Sequence, residues 1–143
     1  MKKVIAFGTF DHFHAGHESY LRQARELGEH LTVIIARDET VERLKGRRPD
    51  YSERERRKAV MRSGIAERVV LGQHGDKYAV LLKYKPDVIA LGYDQFAFTI
   101  RLKKFLIDNG MDAKIVRLEP YKPEVHKTSI IRTQKLAGLE QAV

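Results

Sequence analysis

Short apolar runs alternate with stretches of helical periodicity along nearly the whole chain. Five of these runs are typical of buried strands: Lys3–Gly8, Leu31–Ala36, Arg68–Gly72, Asp87–Gly92 and Lys114–Leu118. Near-continuous apolar strands that alternate with helices are typical of a parallel sheet covered on both faces. The right-handed crossover rule then makes the fold doubly wound. The sequence therefore predicts an α/β fold with a doubly wound five-stranded parallel sheet, forming a single domain over residues 1–143.

The segments between the strands carry recognisable helix signals. Ser52 followed by Glu55 is a capping-box pattern and predicts a helix that continues to about Ser63. Gly28 is well placed to end a helix over Ala15–Leu27. Helices are also expected at Lys77–Tyr84, Ala97–Asn109 and Thr128–Leu139, with one helical turn at Glu39–Leu44. Ligands of such folds bind beyond the carboxyl ends of the strands, so the residues that follow each strand are the first candidates for a site.

Composition excludes several kinds of protein. The chain has no cysteine, which rules out disulfides, thiolate metal sites and cysteine nucleophiles. No apolar run approaches the roughly 20 residues that span a bilayer. The apolar stretch at the N-terminus is too short for a signal peptide and is expected to be a strand. We therefore expect a cytoplasmic protein with no membrane partner.

Basic residues outnumber acidic ones, and they are concentrated in one segment. Lys and Arg number 27 against 19 Asp and Glu, a net charge of +8. Eight of these cations lie between Arg43 and Lys58, where acidic residues offset part of the charge. A solvated surface and phosphate binding by a few of the cations both fit this pattern. Nucleic acid is not expected as a partner, because Tyr51 alone in the segment could stack on a base.

The turn after the first strand holds the residues most suited to chemistry. It contains neither of the common glycine-rich phosphate motifs. Instead it places His14-Ala15-Gly16-His17 at the start of the first helix, where N–H groups and the helix dipole attract anions. Gly16 leaves room for a ligand to approach the backbone. Two imidazoles at this spacing lie on one side of the turn and can donate hydrogen bonds to phosphoryl oxygens. Zinc ligation and simple helix capping are the alternatives.

The same turn carries a recognisable motif. Gly8-Thr9-Phe10-Asp11 followed by His14-Ala15-Gly16-His17 resembles the signature of the cytidylyltransferase-like nucleotidyltransferases, which have a Rossmann-like fold. Within this family the chain resembles the archaeal FAD synthases most closely. The residues that carry this second resemblance are Val33-Ile34-Ile35-Ala36-Arg37-Asp38, Lys45-Gly46-Arg47-Arg48-Pro49 and Leu91-Gly92-Tyr93-Asp94-Gln95.

The resemblance implies an enzyme that transfers AMP from ATP to FMN, giving FAD and pyrophosphate. The implied catalytic residues are His14, His17 and Lys45, the last acting with Arg47 as a clamp over the triphosphate. The implied nucleotide-binding residues are Gly8, Thr9, Phe10, His14, Ala15, Gly16, His17, Gly92, Tyr93, Asp94, Tyr121, Thr128 and Ser129. Among these, Thr128 and Ser129 would hold the departing phosphates and Asp94 would accept a hydrogen bond from the nucleoside.

The resemblance also implies a divalent cofactor and a homodimer. Mg²⁺ is the expected ion, held mainly by nucleotide oxygens and water, so no protein residue is assigned as a metal ligand. Asp11 is its most plausible neighbour, and a structural role for Asp11 is equally consistent. The late segment from Glu124 to Ser129 lacks the Arg-Thr-x-Gly-Ile of the cytidylyltransferases, which speaks against CTP. Two alternatives stay open: transfer to another phosphate acceptor, such as glycerol 3-phosphate or phosphopantetheine, and a non-catalytic protein that binds nucleotides or nucleic acid.

Overall fold

Five parallel strands form the central sheet of the computed structural model, which describes residues 1–75, 78–92 and 96–121, with no side chains described for 96–98. Their order across the sheet is β3-β2-β1-β4-β5. Chain order assigns them to Lys3–Gly8 (β1), His30–Ile35 (β2), Arg68–Leu71 (β3), Val88–Leu91 (β4) and Lys114–Arg117 (β5). β1 lies at the centre, pairing Gly8 with Ile35 of β2 and Ala6 with Ala90 of β4.

Five helices connect and cover these strands within the described ranges. They are Ala15–Arg25 (α1), Asp38–Lys45 (α2), Glu53–Arg62 (α3), Ala79–Tyr84 (α4) and Phe96–Asp108 (α5). α3 begins with the expected capping box between Ser52 and Glu55. Across the same part of the chain, every helix is too short or too polar to cross a membrane.

The sheet buries both of its faces, as the apolar strands predict. Alternate residues of a strand point to opposite faces. Val4 and Ala6 of β1 therefore belong to a core closed by Leu21 of α1 and Val60 of α3. The other face carries Ile5, Phe7, Ile34, Ile89 and Leu91 against α4 and α5. These two cores confirm the predicted doubly wound arrangement.

Two helix predictions differ from the structure. α1 ends at Arg25 rather than Leu27, and Gly28 lies beyond the helix instead of terminating it. A Cβ on Gly28 would stand 2.6 Å from the carbonyl oxygen of Lys2, so this glycine serves a close backbone approach. α2 is a helix of eight residues, longer than the predicted single turn. The predicted helix over Thr128–Leu139 and the predicted start at Lys77 lie outside the described residues.

The strand order reverses between β1 and β4, and Tyr20 joins the two strands at that place. Its hydroxyl lies 2.9 Å from the carbonyl oxygen of Ala90 and 3.2 Å from that of Phe7. Burial raises the pKa of the phenol, so the hydroxyl stays protonated and donates. The sequence predicts Tyr20 only as part of the helix over Ala15–Leu27, without this bridging role. In open α/β sheets, the point where strand order reverses is where ligands bind.

Candidate active site

The turn after β1 is shaped by a close contact between Gly8 and Phe10. Phe10 adopts a φ of 57° and is buried. Its ring folds back over β1, so a Cβ on Gly8 would stand 2.6 Å from the ring. Only glycine fits under this ring without displacing it. Gly8 and Phe10 therefore fix the path of the turn, and the Phe10 side chain packs in the core instead of facing solvent.

His14 and His17 cap the start of α1 reciprocally. The backbone N–H of Gly16 donates to His14 Nδ1 at 3.0 Å, and the backbone N–H of His14 donates to His17 Nδ1 at 3.2 Å. Because each Nδ1 accepts a hydrogen bond, each neutral ring carries its proton on Nε2. The two rings therefore present Nε2–H groups as donors. The amides of His14 and Gly16 are satisfied within the turn, so the imidazoles replace them as the donors available to an anion.

A stack of three rings holds this pair in place. His14 lies on His17 with ring centroids 3.9 Å apart, and Phe13 lies on the other side at 5.6 Å. Phe10 meets the His17 ring edge-on at 5.4 Å. Burial, with smaller contributions from His14 and Lys45, lowers the pKa of His17 to about 3. The pKa of His14 is also lowered, chiefly by burial. Both imidazoles are therefore neutral donors at pH 7.

Lys45 brings a positive charge to the same place. It is the last residue of α2, and its charge contributes to the lowered pKa of His17. Partial burial lowers the pKa of the Lys45 ammonium, and the neighbouring Arg47 and Arg56 lower it further. Asp11 opposes this shift by favouring the charged form. The structure thus stacks His14 on His17 and places Lys45 within electrostatic range of His17, while the catalytic roles of the three residues stay predictions.

Arg56 is a central residue of the site that sequence reasoning missed. Its side chain is fully buried, although it lies in the basic segment whose side chains were predicted to be solvated or to bind phosphate. The guanidinium donates to the carbonyl oxygens of Thr9 (2.8 Å) and Tyr51 (3.0 Å), and to a carboxylate oxygen of Asp38 (2.7 Å). Thr9 is itself buried beside it. Arg56 therefore ties the turn after β1 to the starts of α2 and α3.

Asp11 and His12 attach the same turn to the segment before α3. The Asp11 carboxylate accepts hydrogen bonds from the backbone N–H groups of Asp50 (2.8 Å) and Tyr51 (3.0 Å). His12 Nε2 lies 2.6 Å from the Asp50 carboxylate, whose hydrogen bond raises the pKa of His12. Ligand atoms of Asp11, His12 and Asp50 lie within 4.8 Å of one another. Asp11 thus has the structural role that the sequence left open, and one lone pair on each of its oxygens remains for a cation or water.

Other cations of the basic segment also serve the fold. Arg57 donates to the carbonyl oxygen of Val69 at 2.8 Å, which joins α3 to β3. Arg48 pairs with Glu42 at 2.7 Å on the surface. Phosphate binding is therefore left to fewer cations than the charge count suggests.

The remaining predicted residues lie at the edge of the sheet or beyond the described part of the chain. Ala15 and Gly16 open α1, and Gly92 directly follows β4 at the carboxyl edge of the sheet. Tyr121 follows β5 and is half-buried. Tyr93, Asp94, Thr128 and Ser129 lie outside the described residues, so their predicted roles stay predictions.

Comparison with known proteins agrees with this geometry. The sequence model of the cytidylyltransferase-like family matches residues 5–134. An FAD synthase of Thermoplasma volcanium is 36% identical over 132 residues, which are 92% of each chain. An FAD synthase of Aciduliprofundum boonei is 42% identical over 85% of this chain and 80% of its own. A solved structure described as a lipopolysaccharide core biosynthesis protein of Thermoplasma volcanium has a TM-score of 0.80 at 37% identity, covering 85% of this chain and 99% of its own.

These matches extend over most of the sequence, and the family model includes the turn that carries both histidines. The resemblance inferred from the motif is confirmed, as is the Rossmann-like parallel sheet. The relatives also confirm a nucleotidyltransferase enzyme. From its motif, its fold and its relatives, the chain belongs to the cytidylyltransferase-like family of nucleotidyltransferases.

Proposed function

We propose that this enzyme transfers AMP from ATP to FMN, releasing pyrophosphate and forming FAD. The relatives named FAD synthase, at 36–42% identity over most of the chain, support this choice of substrates. The structural observation that carries it is the pair of neutral imidazoles at the carboxyl edge of β1. Their backbone caps fix both Nε2–H donors before any substrate binds.

The reaction is an in-line displacement at the α-phosphorus of ATP. A phosphate oxygen of FMN forms the new bond while the bond to pyrophosphate breaks, and the pyrophosphate carries the electron pair away. No covalent enzyme intermediate is needed, so the lack of cysteine is no obstacle. Transfers of this kind are catalysed mainly by positioning the reactants and stabilising charge.

The residues of the site suit that task. His14 and His17 donate Nε2–H hydrogen bonds to the phosphate oxygens on which charge develops. Lys45 provides the fixed positive charge beside them. Arg56 and Asp11 hold the turn, including Thr9, in the conformation that aims the two imidazoles. In this proposal Gly92, Tyr93 and Asp94 bind the nucleoside, and Thr128 and Ser129 bind the departing phosphates.

A divalent cation fits beside this site. Mg²⁺ prefers oxygen ligands and keeps several of its waters, so ATP phosphates would supply most of its contacts. The free lone pairs of Asp11 can accept hydrogen bonds from those waters, whereas the His12–Asp50 pair is already hydrogen-bonded. When bound, the ion neutralises phosphate charge and polarises the reacting group.

A pyrophosphate-release assay tests the proposal. ATP and Mg²⁺ are offered with FMN, glycerol 3-phosphate or phosphopantetheine in parallel, and a second set replaces ATP with CTP. Release with ATP and FMN alone, with FAD identified by chromatography, is expected. Release with a different pair would replace the substrates while keeping the mechanism. No pyrophosphate release with any pair, together with salt-dependent binding of oligonucleotides, would favour a non-catalytic binding protein.

The role of His17 is tested in the same assay. Removing one positioned donor from a developing charge lowers turnover by about a hundred- to thousandfold. His17→Ala should show that loss, while His30→Ala, a histidine at the opposite end of the sheet, should keep near-normal turnover. Equal turnover of the two variants would show that His17 does not stabilise the developing charge.

A further inference from the structure

A groove of about 530 Å³ opens on the far side of the turn that carries the histidines. One wall is formed by Phe10, His12 and Phe13 of that turn, with Tyr51 beside them. The ring of His12 meets that of Tyr51 edge-on, with centroids 4.8 Å apart. The other wall is α3, which contributes Lys58 and Arg62. Aromatic side chains thus face cationic ones across a cleft of the size that holds small molecules.

The groove is one ring away from the catalytic pair. Phe13 lines the groove with part of its surface and stacks on His17 at 5.6 Å. A molecule lying in the groove against Phe13 is therefore separated from His17 by a single side chain. A flexible part of the ligand would pass around that ring to reach the histidines.

The geometry of in-line transfer also favours the α3 side of β1 as the place where the acceptor binds. The attacking oxygen and the leaving pyrophosphate must lie on opposite sides of the α-phosphorus. In the proposed function, the nucleoside of ATP binds at Gly92, which follows β4 on one side of β1. α3 packs over β2 and β3, on the other side of β1. The groove beside α3 is thus on the side that ATP leaves open.

The charges at the groove match an anionic aromatic ligand. Lys58 and Arg62 are exposed, and among the described residues neither has a carboxylate within ion-pair distance. Glu55 is the one acidic side chain on the described walls. FMN combines a flat aromatic ring system, a flexible ribityl chain and a phosphate dianion. The two cations of the groove would attract that dianion, and the aromatic wall would hold the ring.

We infer that the groove between the 10–13 turn and α3 is the binding site for the isoalloxazine ring of FMN. Phe13 and Tyr51 pack against the ring, Lys58 and Arg62 attract the substrate, and the ribityl chain carries the phosphate past Phe13 to the histidines. This inference rests on the proposed function, because it places the acceptor of that reaction.

Two measurements on the same variants test the groove. Flavin fluorescence reports FMN binding without catalysis, because stacking on an aromatic ring quenches it. The initial rate of pyrophosphate release gives the KM of each substrate. The variants are Arg62→Ala and Tyr51→Ala. Arg54→Ala is the matched control, since Arg54 is an exposed arginine of α3 that does not line the groove.

Arg62→Ala should raise both the Kd and the KM for FMN about tenfold at low ionic strength, because it removes one of the two cations that attract the phosphate dianion to the groove. Tyr51→Ala should reduce the quenching of bound FMN. Both should leave the KM for ATP within about twofold of the parent enzyme, which a general loss of structure would not. Arg54→Ala should match the parent in every measurement.

Failure of this inference is distinct from failure of the proposed function. If the parent enzyme makes FAD and both groove variants keep its Kd and KM for FMN, the flavin site is elsewhere and the inference is overturned. If the parent enzyme releases no pyrophosphate with FMN, the proposed function fails. The fluorescence titration still tests the groove as a flavin site in that case. Quenching that weakens in both variants supports the inference, and the absence of FMN binding overturns it.

Discussion

His17 should make the protein less stable in acid, in proportion to its lowered pKa. In the folded state the ring stays neutral down to a pKa of about 3, whereas in the unfolded chain it takes up a proton near pH 6.5. Between these values the unfolded state binds more protons, so the free energy of unfolding falls as pH falls. The stability is fully present above pH 6.5 and is lost progressively below it.

The size of the effect follows from the same shift. Each pH unit of difference is worth about 1.4 kcal/mol, so acidification from pH 7 to pH 5 should cost about 2 kcal/mol through His17. His17→Gln removes the titration while keeping a helix-capping side chain, because glutamine at this position also bonds back to the residue that caps the helix. His12 and His14 titrate in both proteins, so the difference between the two isolates His17.

Urea unfolding followed by circular dichroism at pH 7, 6 and 5 measures this difference. The parent protein should lose about 2 kcal/mol more than His17→Gln over that range. NMR titration provides a second readout, in which the His17 ring signal should stay at its neutral position down to about pH 4. Parallel pH profiles for the two proteins, or a His17 ring that titrates near pH 6.5, would refute the neutral, desolvated imidazole.

Three further variants test the contacts around the site. Arg56→Met should lower the free energy of unfolding by about 3 kcal/mol, because it leaves a carboxylate and two carbonyls without their donor. The control Arg54→Met, at an exposed arginine of the same helix, should leave the free energy of unfolding nearly unchanged. Urea denaturation of the pair decides this, and equal midpoints would contradict it. Tyr20→Phe should cost about 1–2 kcal/mol in the same experiment by removing the hydroxyl between β1 and β4; an unchanged midpoint would show that the bridge adds no stability. Gly28→Ala should lower Tm, with about 1–3 kcal/mol of destabilisation, because its Cβ would meet the Lys2 carbonyl; an unchanged Tm would show that the backbone relaxes easily there.

The strands were predictable because each of them is a short run of consecutive, mostly apolar residues. β1 has the predicted bounds Lys3–Gly8, and the other four strands lie within one residue of their predicted limits at each end. The end of α1 was less predictable. Gly28 is a strong local signal for a helix end, but its role depends on Lys2, which only the folded chain brings close. Contacts distant in sequence thus overrode local preference there.

The candidate site was likewise predictable in part. The motif predicted His14 and His17 and their place on one side of the turn, which their 3.9 Å stack confirms. Helix capping was one of the alternatives left open, but its reciprocal form and the loss of charge on both rings were not predicted. Arg56 was hidden for a different reason. Nothing in the neighbouring sequence distinguishes one arginine of a basic run from the others. The burial of Arg56 depends on acceptors from three separate segments of the chain.

The capped imidazoles also disfavour transition-metal binding at the histidine pair. Histidine binds zinc, copper or nickel through a nitrogen lone pair. In His14 and His17 the Nδ1 lone pairs are occupied by backbone amides, and Nε2 carries the proton. Freeing Nε2 would move the proton to Nδ1, where it would oppose an amide hydrogen and break the start of α1. A transition metal bound at this pair would therefore have to break the two hydrogen bonds that begin α1, a cost that a cation bound through phosphate oxygens avoids.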